Sequence, residues 1–600
     1  MRLSPVFATV LFLSAAAVFA DKDPDITVGW ISRTPSIDYV WDSPHPDRDG
    51  WPAPGQSVAW VAHVRNWKET PRPALPYRWL VDGEVVASGT VDLPASDVAA
   101  IALPWTWSFE RRRLTFAIDG DGENALTIFT DAVSIGFYVE QGMYDFMRRY
   151  QPLLGIGSDS FEDWVERHVD RFNEIAALAV YPETPRGVLD RFRIDEIVVV
   201  PDGALPLVPL PNQGQMDGQP NGSTHPNKDD RSVDLQWGFP AAGTAYLTDF
   251  TTANDSNPFY LSGSLLHELG HARYLVDVYG WNVWTGGNDG SEVVITEGGA
   301  PVAGTPMMPR SGDYVHFTPE QGLMNQDYSF IDRYSATVMN FIAGDRAIEG
   351  NYNDPDNDGS FLNDLPAQNR LTIRRAGGLP IPGADVRIYQ ATGVPGHFIT
   401  KYYDDVPDLE LSTDAHGQVL VGRCPFSADG RIVHHFGGSN VTAIVRVEKD
   451  GVVAYGFLES RLFNLAYWAG KTGFADHDLF VGAPLCFPVR AALLSPAQDA
   501  VEPSRRVTLE WSGGGSEITG YRIWTSSDGA PARLAGEVPA STTALATEVQ
   551  GRVAWWVEAR HASCPSSRSP TGFFTAPGNA RPSLRVAPAD PPTAAVVSRP

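Results

Sequence analysis

Six hundred residues are more than one hydrophobic core holds, and at about 100–200 residues per domain they predict three to five domains. Hydrophobic and aromatic fractions of 43% and 11%, with a mean hydropathy of -0.18, describe globular material and exclude a polytopic membrane protein. Lys and Arg number 46 against 72 Asp and Glu, a net charge of -26 that repels phosphate backbones and excludes nucleic acid as a partner. Residues 1–20 read as a signal peptide: Arg2 supplies the positive start, Pro5 to Ala20 is apolar and small, and Val18-Phe19-Ala20 forms a cleavage site before Asp21. The stretch is short for a spanning helix and no second span follows, so the expected product is secreted, extracellular or periplasmic, with no membrane span after cleavage.

Residues 21–140 alternate in short runs such as Ser57-Val58-Ala59-Trp60-Val61-Ala62 and Tyr77-Arg78-Trp79-Leu80-Val81. Turn signals separate them, among them Asp82-Gly83 and the acidic turn Asp119-Gly120-Asp121-Gly122, which predicts a β-sandwich. The order "GQSVAWVAHVRNW…YRWLVDGEVVASGTVDL…LTFAIDGDGENAL" resembles bacterial Ig-like modules of the CARDB type over about 90 residues. The pattern changes at 141. Phe161, Trp164, Val165, Val169, Phe172 and Ile175 recur at helical spacing behind Ser160 as cap, with Asp163 three residues on. A strand follows over Arg191 to Val200, stopped by Pro201-Asp202-Gly203, and Asn212 to Arg231 reads as a polar surface loop. Residues 141–365 are expected to form one α+β domain.

Strand-sized runs return over 366–485, where "LTIRRAGGLPIPGADVRIYQ" followed by "LSTDAHGQVLVG" resembles the Ig-like modules of bacterial surface proteins. Over 486–576, Val507 to Trp511, Tyr521 to Trp524 and Ala554 to Ala559 resemble a fibronectin type III sandwich, and 577–600, rich in Pro and Ala, reads as a disordered tail. No two of the three cysteines lie at zinc-knuckle spacing. In an oxidising compartment Cys486 and Cys564 would pair and close the last domain, leaving Cys424 as a buried thiol.

The chemistry sits in Leu265-Leu266-His267-Glu268-Leu269-Gly270-His271. Histidines four apart on a helix stand one turn above each other and can share a zinc ion, behind Ser262 and Ser264 as candidate caps. Glu268, about 100° around from His267, falls beside the ion as general base rather than ligand. A catalytic zinc needs a third protein ligand and an open fourth position. Asp277 lies six residues past His271, and a straight helix would carry it about 15 Å along the axis from His267, so the chain must turn back first. Glu292, Glu297, Asp313 and His316 are the rivals.

This spacing, HExxHxxxxxD, resembles that of the metzincin metalloproteases, and the exit Leu275-Val276-Asp277-Val278-Tyr279-Gly280 resembles that of the IgA-specific metalloendopeptidases, which space their Asp one residue further on. Tyr274 stands where the metzincins place a glycine at the turn. The resemblance implies His267, His271 and Asp277 as zinc ligands, Glu268 as catalytic base, and a methionine turn beneath the metal. Gly322-Leu323-Met324-Asn325 is similar to that turn, with Met324 as its methionine, and the helical pattern from Ile331 to Ala343 suits the helix that follows. Met339, inside that pattern, is the competitor and reads as core. Tyr328, four residues after Met324, is a candidate for steadying an oxyanion, although its spacing departs from the metzincin tyrosine.

A second metal signal is Asn353-Asp354-Pro355-Asp356-Asn357-Asp358-Gly359, the opening of an EF-hand-type calcium loop with Asp354, Asp356 and Asp358 as ligands. Its twelfth position is Leu365 instead of Glu, with Asp364 one residue early, so a polar linker is the alternative.

The expected fold is therefore multidomain: an α+β metzincin-like zinc protease domain flanked by all-β Ig-like and fibronectin type III-like sandwiches. The expected function is that of a secreted zinc endopeptidase, cutting extracellular proteins or glycoproteins with a zinc-activated water and Glu268 as base. The sandwiches are expected to bind cell-surface or glycan ligands. The opposing expectation is a non-enzymatic adhesin with a structural or vestigial metal site. The presence of Glu268 argues against it, since a structural site is closed by four ligands and needs no base.

Overall fold

In a computed structural model the protein is described over residues 26–34, 54–205 (less 67–69, 96–97, 109, 111, 119–124, 131–132, 186 and 189–190), 223–226, 235–284 (less 272–274), 292–293, 296–297, 300–301, 315–317, 321–341, 360–434 (less 376, 394–400 and 405), 438–482, 490–513, 518–562 (less 529) and 566–578. The signal segment, Cys486, Cys564, the calcium-loop aspartates Asp354, Asp356 and Asp358, the acidic turn at 119–122, Tyr274, Asp313 and the tail beyond 578 lie outside the described residues.

The first unit stacks a sheet of Ile26–Thr34, Ser57–Asn66 and Val98–Thr106 on one of Glu84–Leu93, Arg72–Val81, Arg113–Ile118 and Ala125–Phe129. Alternation along these strands sends Trp60, Trp79, Leu114 and Phe116 inward to full burial, which is what a two-sheet core requires. The next strand, Val133–Glu140, departs from the sequence reading. It lies between Leu235–Phe239 and Phe192–Val200, parallel to both, with Ser223–Pro226 at the edge, so the sheet of the middle unit starts before residue 141. Its buried residues Ile135, Phe137 and Val139 alternate as a sandwich strand would, and alternation does not say which core they enter. Part of the segment read as a polar surface loop pairs as well, through Ser223–Pro226.

Helix α1 spans Gln141–Tyr150. Helix α2 spans Phe161–Leu178 and is capped as its sequence predicts, with the Ser160 side chain accepting from the Asp163 N–H at 3.2 Å. Helix α3, Gly263–His271, carries the histidine pair, and α4, Arg333–Phe341, follows the turn at 322–330.

Residues 368–481 form a second sandwich. One sheet is Gln418–Gly422, Gln368–Arg375 and Phe474–Val481; the other is Leu409–Ser412, Asp385–Tyr389, Thr442–Lys449 and Val452–Glu459. Between its last two strands the chain inserts α5, Ser460–Trp468, which the strand-sized runs did not reveal. Trp468 stacks on Tyr334 of α4 at 5.5 Å, and buried residues from Ile135 to Val481 form one continuous cluster. A third sandwich pairs Leu493–Ser495, Arg506–Trp511 and Ala544–Glu548 against a larger sheet built on Ile518–Ser527 and Gly551–His561. At the far end of the calcium-loop signal, Leu365 is buried and the Asp364 carboxylate accepts the Trp468 indole N–H at 2.8 Å, so these two positions serve packing. Cys424 is a half-buried free thiol, and burial raises it above the usual thiol range.

Candidate active site

Leu265, Leu266, Leu269 and His271 turn into the core, which leaves Ser264, His267 and Glu268 on the outward stripe of α3. The helix starts where two bonds place it. The Ser262 hydroxyl accepts from the Leu265 N–H at 3.2 Å, and the Ser262 N–H donates to His168 Nε2 of α2 at 2.7 Å. His168 Nδ1 lies 2.7 Å from the Trp164 carbonyl, so the ring is a neutral Nδ1–H tautomer accepting at Nε2. Burial accordingly takes it down to about 3.

The chain does turn back after α3. The Leu275 N–H donates to the Gly270 carbonyl at 3.2 Å, and Asp277 opens a short 3-10 turn over Val278–Trp281. Asp277, 1% exposed, brings Oδ1 to 2.9 Å from His267 Nε2 and 3.2 Å from His271 Nε2. Each imidazole is oriented from behind, with His267 Nδ1 3.1 Å from the Leu323 carbonyl and His271 Nδ1 2.7 Å from the Leu275 carbonyl. A carbonyl only accepts, so each Nδ1 carries a proton, and a metal ion would take the place of the Nε2 proton that His267 otherwise donates to the Asp277 carboxylate. Burial would lower His267, but the hydrogen bond and charge of Asp277 outweigh it and set it at about 9. Burial would likewise raise Asp277, and the two imidazoles hold it well below the usual carboxylate range.

Ligands about 2.0–2.2 Å from one tetrahedral zinc stand about 3.3–3.6 Å apart, so two imidazole Nε2 atoms at 2.9 and 3.2 Å from one carboxylate oxygen need to spread by only a few tenths of an ångström to take that ion. Glu268 also brings its carboxylate within 4.8 Å of both histidines. Asp277 is the better third ligand, because it is buried and its oxygen sits between the two nitrogens. Glu268 instead faces an open cleft of about 240 Å³ that it lines with Ser264, His267, Tyr279, Gln326 and Tyr328. Among the rivals, Glu292 lies in a two-residue strand paired with Lys401–Tyr403, Glu297 in a short hairpin, and His316 in a strand paired with Val283–Trp284; their side chains lie outside the described residues.

Met324 is fully buried beneath α3, and a Cβ on Gly270 would come 2.7 Å from its sulfur, so glycine permits the close approach. The Met324 carbonyl accepts from the Tyr279 N–H at 3.1 Å, which ties the turn at 322–330 to the loop bearing Asp277. Met339 is buried in α4, as its helical pattern implies. Tyr328 lines the cleft, its ring centroid 6.4 Å from that of His267, and burial raises its phenol above the usual value.

Other contributors were given no role by the sequence reading, some beside its motifs and some far from them. Tyr279 stacks on His267 at 6.0 Å, and Gln326, held at a positive φ of 63°, reaches the same cleft. His434 of the second sandwich places Nε2 2.9 Å from the Asp277 carbonyl oxygen. Arg490 of the third sandwich pairs with Asp327 at 2.5 Å. No local signal marks His434 and Arg490, because each arrives from a separate part of the chain.

No protein-family model matches this chain, and no curated protein does. Among solved structures it is similar to the CARDB domain of PF1109 from Pyrococcus furiosus (16% identity, 18% of this chain and 92% of that one, TM-score 0.13). It is also similar to fibronectin(III)-like modules of Clostridium thermocellum CbhA (9% identity, 14% and 94%, TM-score 0.13). A third likeness is to a domain of a putative cell surface protein from Methanosarcina acetivorans (21% identity, 18% and 90%, TM-score 0.14). Likenesses at this level do not bear on activity. Among the described residues, no helix is long and apolar enough to cross a membrane.

Proposed function

We propose that the protein is a secreted zinc-dependent endopeptidase acting on extracellular proteins or glycoproteins, with a metzincin-like centre. The observation that supports this reading is the meeting of His267, His271 and Asp277 at one point, with Glu268 beside it on an open cleft. A zinc ion held by those three side chains would polarise a scissile carbonyl and acidify a water at its open position. Glu268 then takes the proton of the attacking water and delivers it to the leaving amine, a transfer that its place on the cleft wall allows. Tyr279 and Tyr328 flank the same wall, and the Tyr328 hydroxyl is the donor offered to the developing oxyanion.

The test compares wild type with Glu268→Ala, both zinc-loaded, on a peptide library read by mass spectrometry. Internal cuts by wild type, reduced at least a hundredfold in the variant while one zinc per chain is retained, are expected. Equal cutting by both would remove Glu268 as the base. Loss of zinc in the variant would make Glu268 a ligand instead. No cutting by either would favour the binding-protein reading.

A further inference from the structure

The loop that carries Asp277 is gripped by the second sandwich through its backbone. His434 Nε2 donates to the Asp277 carbonyl at 2.9 Å. Lys401 Nζ donates to the carbonyls of Gly280 and, at 2.9 Å, Asn282. Thr442 Oγ1 donates to the Trp281 carbonyl at 2.9 Å. Ser439 Oγ also donates to the Gly280 carbonyl, at 3.3 Å. Four carbonyls within six residues are thus claimed by side chains more than a hundred residues further along the chain, and all four donor residues are buried. Bonds to carbonyls set the path of a loop whatever its side chains are, so the grip fixes where the Asp277 Cα stands.

We infer that His434 is a positioning residue for the metal site, acting through the Asp277 backbone to aim its carboxylate at His267 and His271; this rests on the zinc reading above. Because a carbonyl oxygen only accepts, His434 must carry its proton on Nε2, and Nδ1, at 3.0 Å, shares the Ser439 hydroxyl proton with the Gly280 carbonyl at 3.3 Å. The ring is clamped at both nitrogens and packs on Trp281 at 4.9 Å. It also fills the space that Gly280 leaves open, since a Cβ there would lie 2.0 Å from His434 Cε1. From α3 the aspartate is reached only through the turn at Leu275, so the His434 bond is the restraint applied from the opposite side. The second sandwich thereby becomes part of the metal site's frame, which a module serving only to recruit a substrate need not be. A carboxylate free to swing would cost affinity, as loss of outer partners of metal ligands does, by about 10–100-fold.

The experiment uses the full chain as wild type, His434→Ala, His434→Gln, Ser439→Ala and Leu479→Ala. Leu479 is a core residue in the other sheet of the same sandwich, so its truncation loosens that sandwich without touching the loop. Zinc affinity is measured by competition with a chromophoric chelator, and the visible spectrum of the cobalt-substituted protein reports ligand geometry. His434→Ala should weaken zinc by about 10–100-fold and change the cobalt bands. His434→Gln, which keeps an N–H donor, should recover most of both. Ser439→Ala should move affinity in the same direction by a smaller factor, and serves if His434→Ala does not fold. Leu479→Ala should lower the melting temperature and leave affinity and spectrum unchanged. Wild-type affinity and spectrum in both His434→Ala and Ser439→Ala would overturn the inference, as would an equal loss in Leu479→Ala. A wild-type chain that takes up zinc no better than Asp277→Ala would instead remove the zinc reading itself, and this inference with it.

Discussion

His168 takes no part in the chemistry proposed for the cleft, yet α3 begins where its ring holds the Ser262 N–H. The bond requires a neutral ring, because a proton on Nε2 would face another proton. Burial is the main cause of its low value of about 3, and the charges of Arg167 and Arg171 add to it. The unfolded chain takes up this proton near pH 6.5 and the folded chain only near pH 3. In that window the unfolded state binds more protons, so stability falls as pH falls. The contribution is complete above pH 6.5, and roughly 4–5 kcal/mol of it is lost by pH 3. Urea midpoints across this range should show the slope. His168→Asn should flatten it and lower stability at pH 7 by about 1–3 kcal/mol, since the Ser262 N–H loses its acceptor. A variant with the wild-type slope would assign the acid sensitivity to other groups.

Among the elements, the stretch from Asp277 to Asn282 does the most with the least regular structure. It supplies a candidate ligand, stacks Tyr279 on His267, and is pinned on one side by Met324 and on the other by the second sandwich. Gly280 is where the packing leaves no room. A methyl group there meets a ring held by two hydrogen bonds, so the loop must move rather than the ring. Gly280→Ala is expected to cost about 1–3 kcal/mol by overpacking, and to weaken zinc binding along with it. Thermal melts and chelator competition measure the two effects; an unchanged zinc affinity would mean that the loop moves without carrying Asp277.

At the scale of the whole molecule, the third sandwich is fastened to the middle unit by a charge network centred on the buried Arg171. Arg171 of α2, 3% exposed, pairs with Asp255 and Asp499 at 3.0 Å each; Arg552 pairs with Glu174 at 2.8 Å and with Asp499; and the Tyr260 hydroxyl donates to Asp499. The same sandwich reaches the turn at 322–330. Arg568 lies between Phe330 and Trp556, 4.1 and 4.5 Å from the two ring centroids, and the Thr571 N–H donates to Ser329 at 3.0 Å. Asp499→Asn leaves the buried Arg171 and the partly exposed Arg552 short of charge, and should weaken docking by about 1–3 kcal/mol. Hydrogen exchange in α2 and at 490–576 should rise. Unchanged protection would mean that apolar contacts alone hold the third sandwich.

What was legible in the amino-acid sequence was what depends on neighbours along the chain. The pair His267 and His271 needs only a helical turn between them, and Glu268 only the next position, so spacing placed all three. The Ser160 cap and the inward faces of α2 and α3 are local in the same sense. Asp277 was one choice among five, because a chain that leaves a helix can go anywhere until something distant stops it. Periodicity reports that a face is buried and not what buries it. Val133–Glu140 therefore read as the end of the first sandwich while pairing in the middle sheet, and α5 went unseen between strands. Tertiary structure alone decided which carboxylate meets the imidazoles, which carbonyls orient them, and that His434 and Arg490 come from sandwiches expected to stand apart. The His434 and Arg490 contacts join residues more than 150 positions apart, and contacts at that range are chosen by the packing of whole layers, which no local pattern encodes.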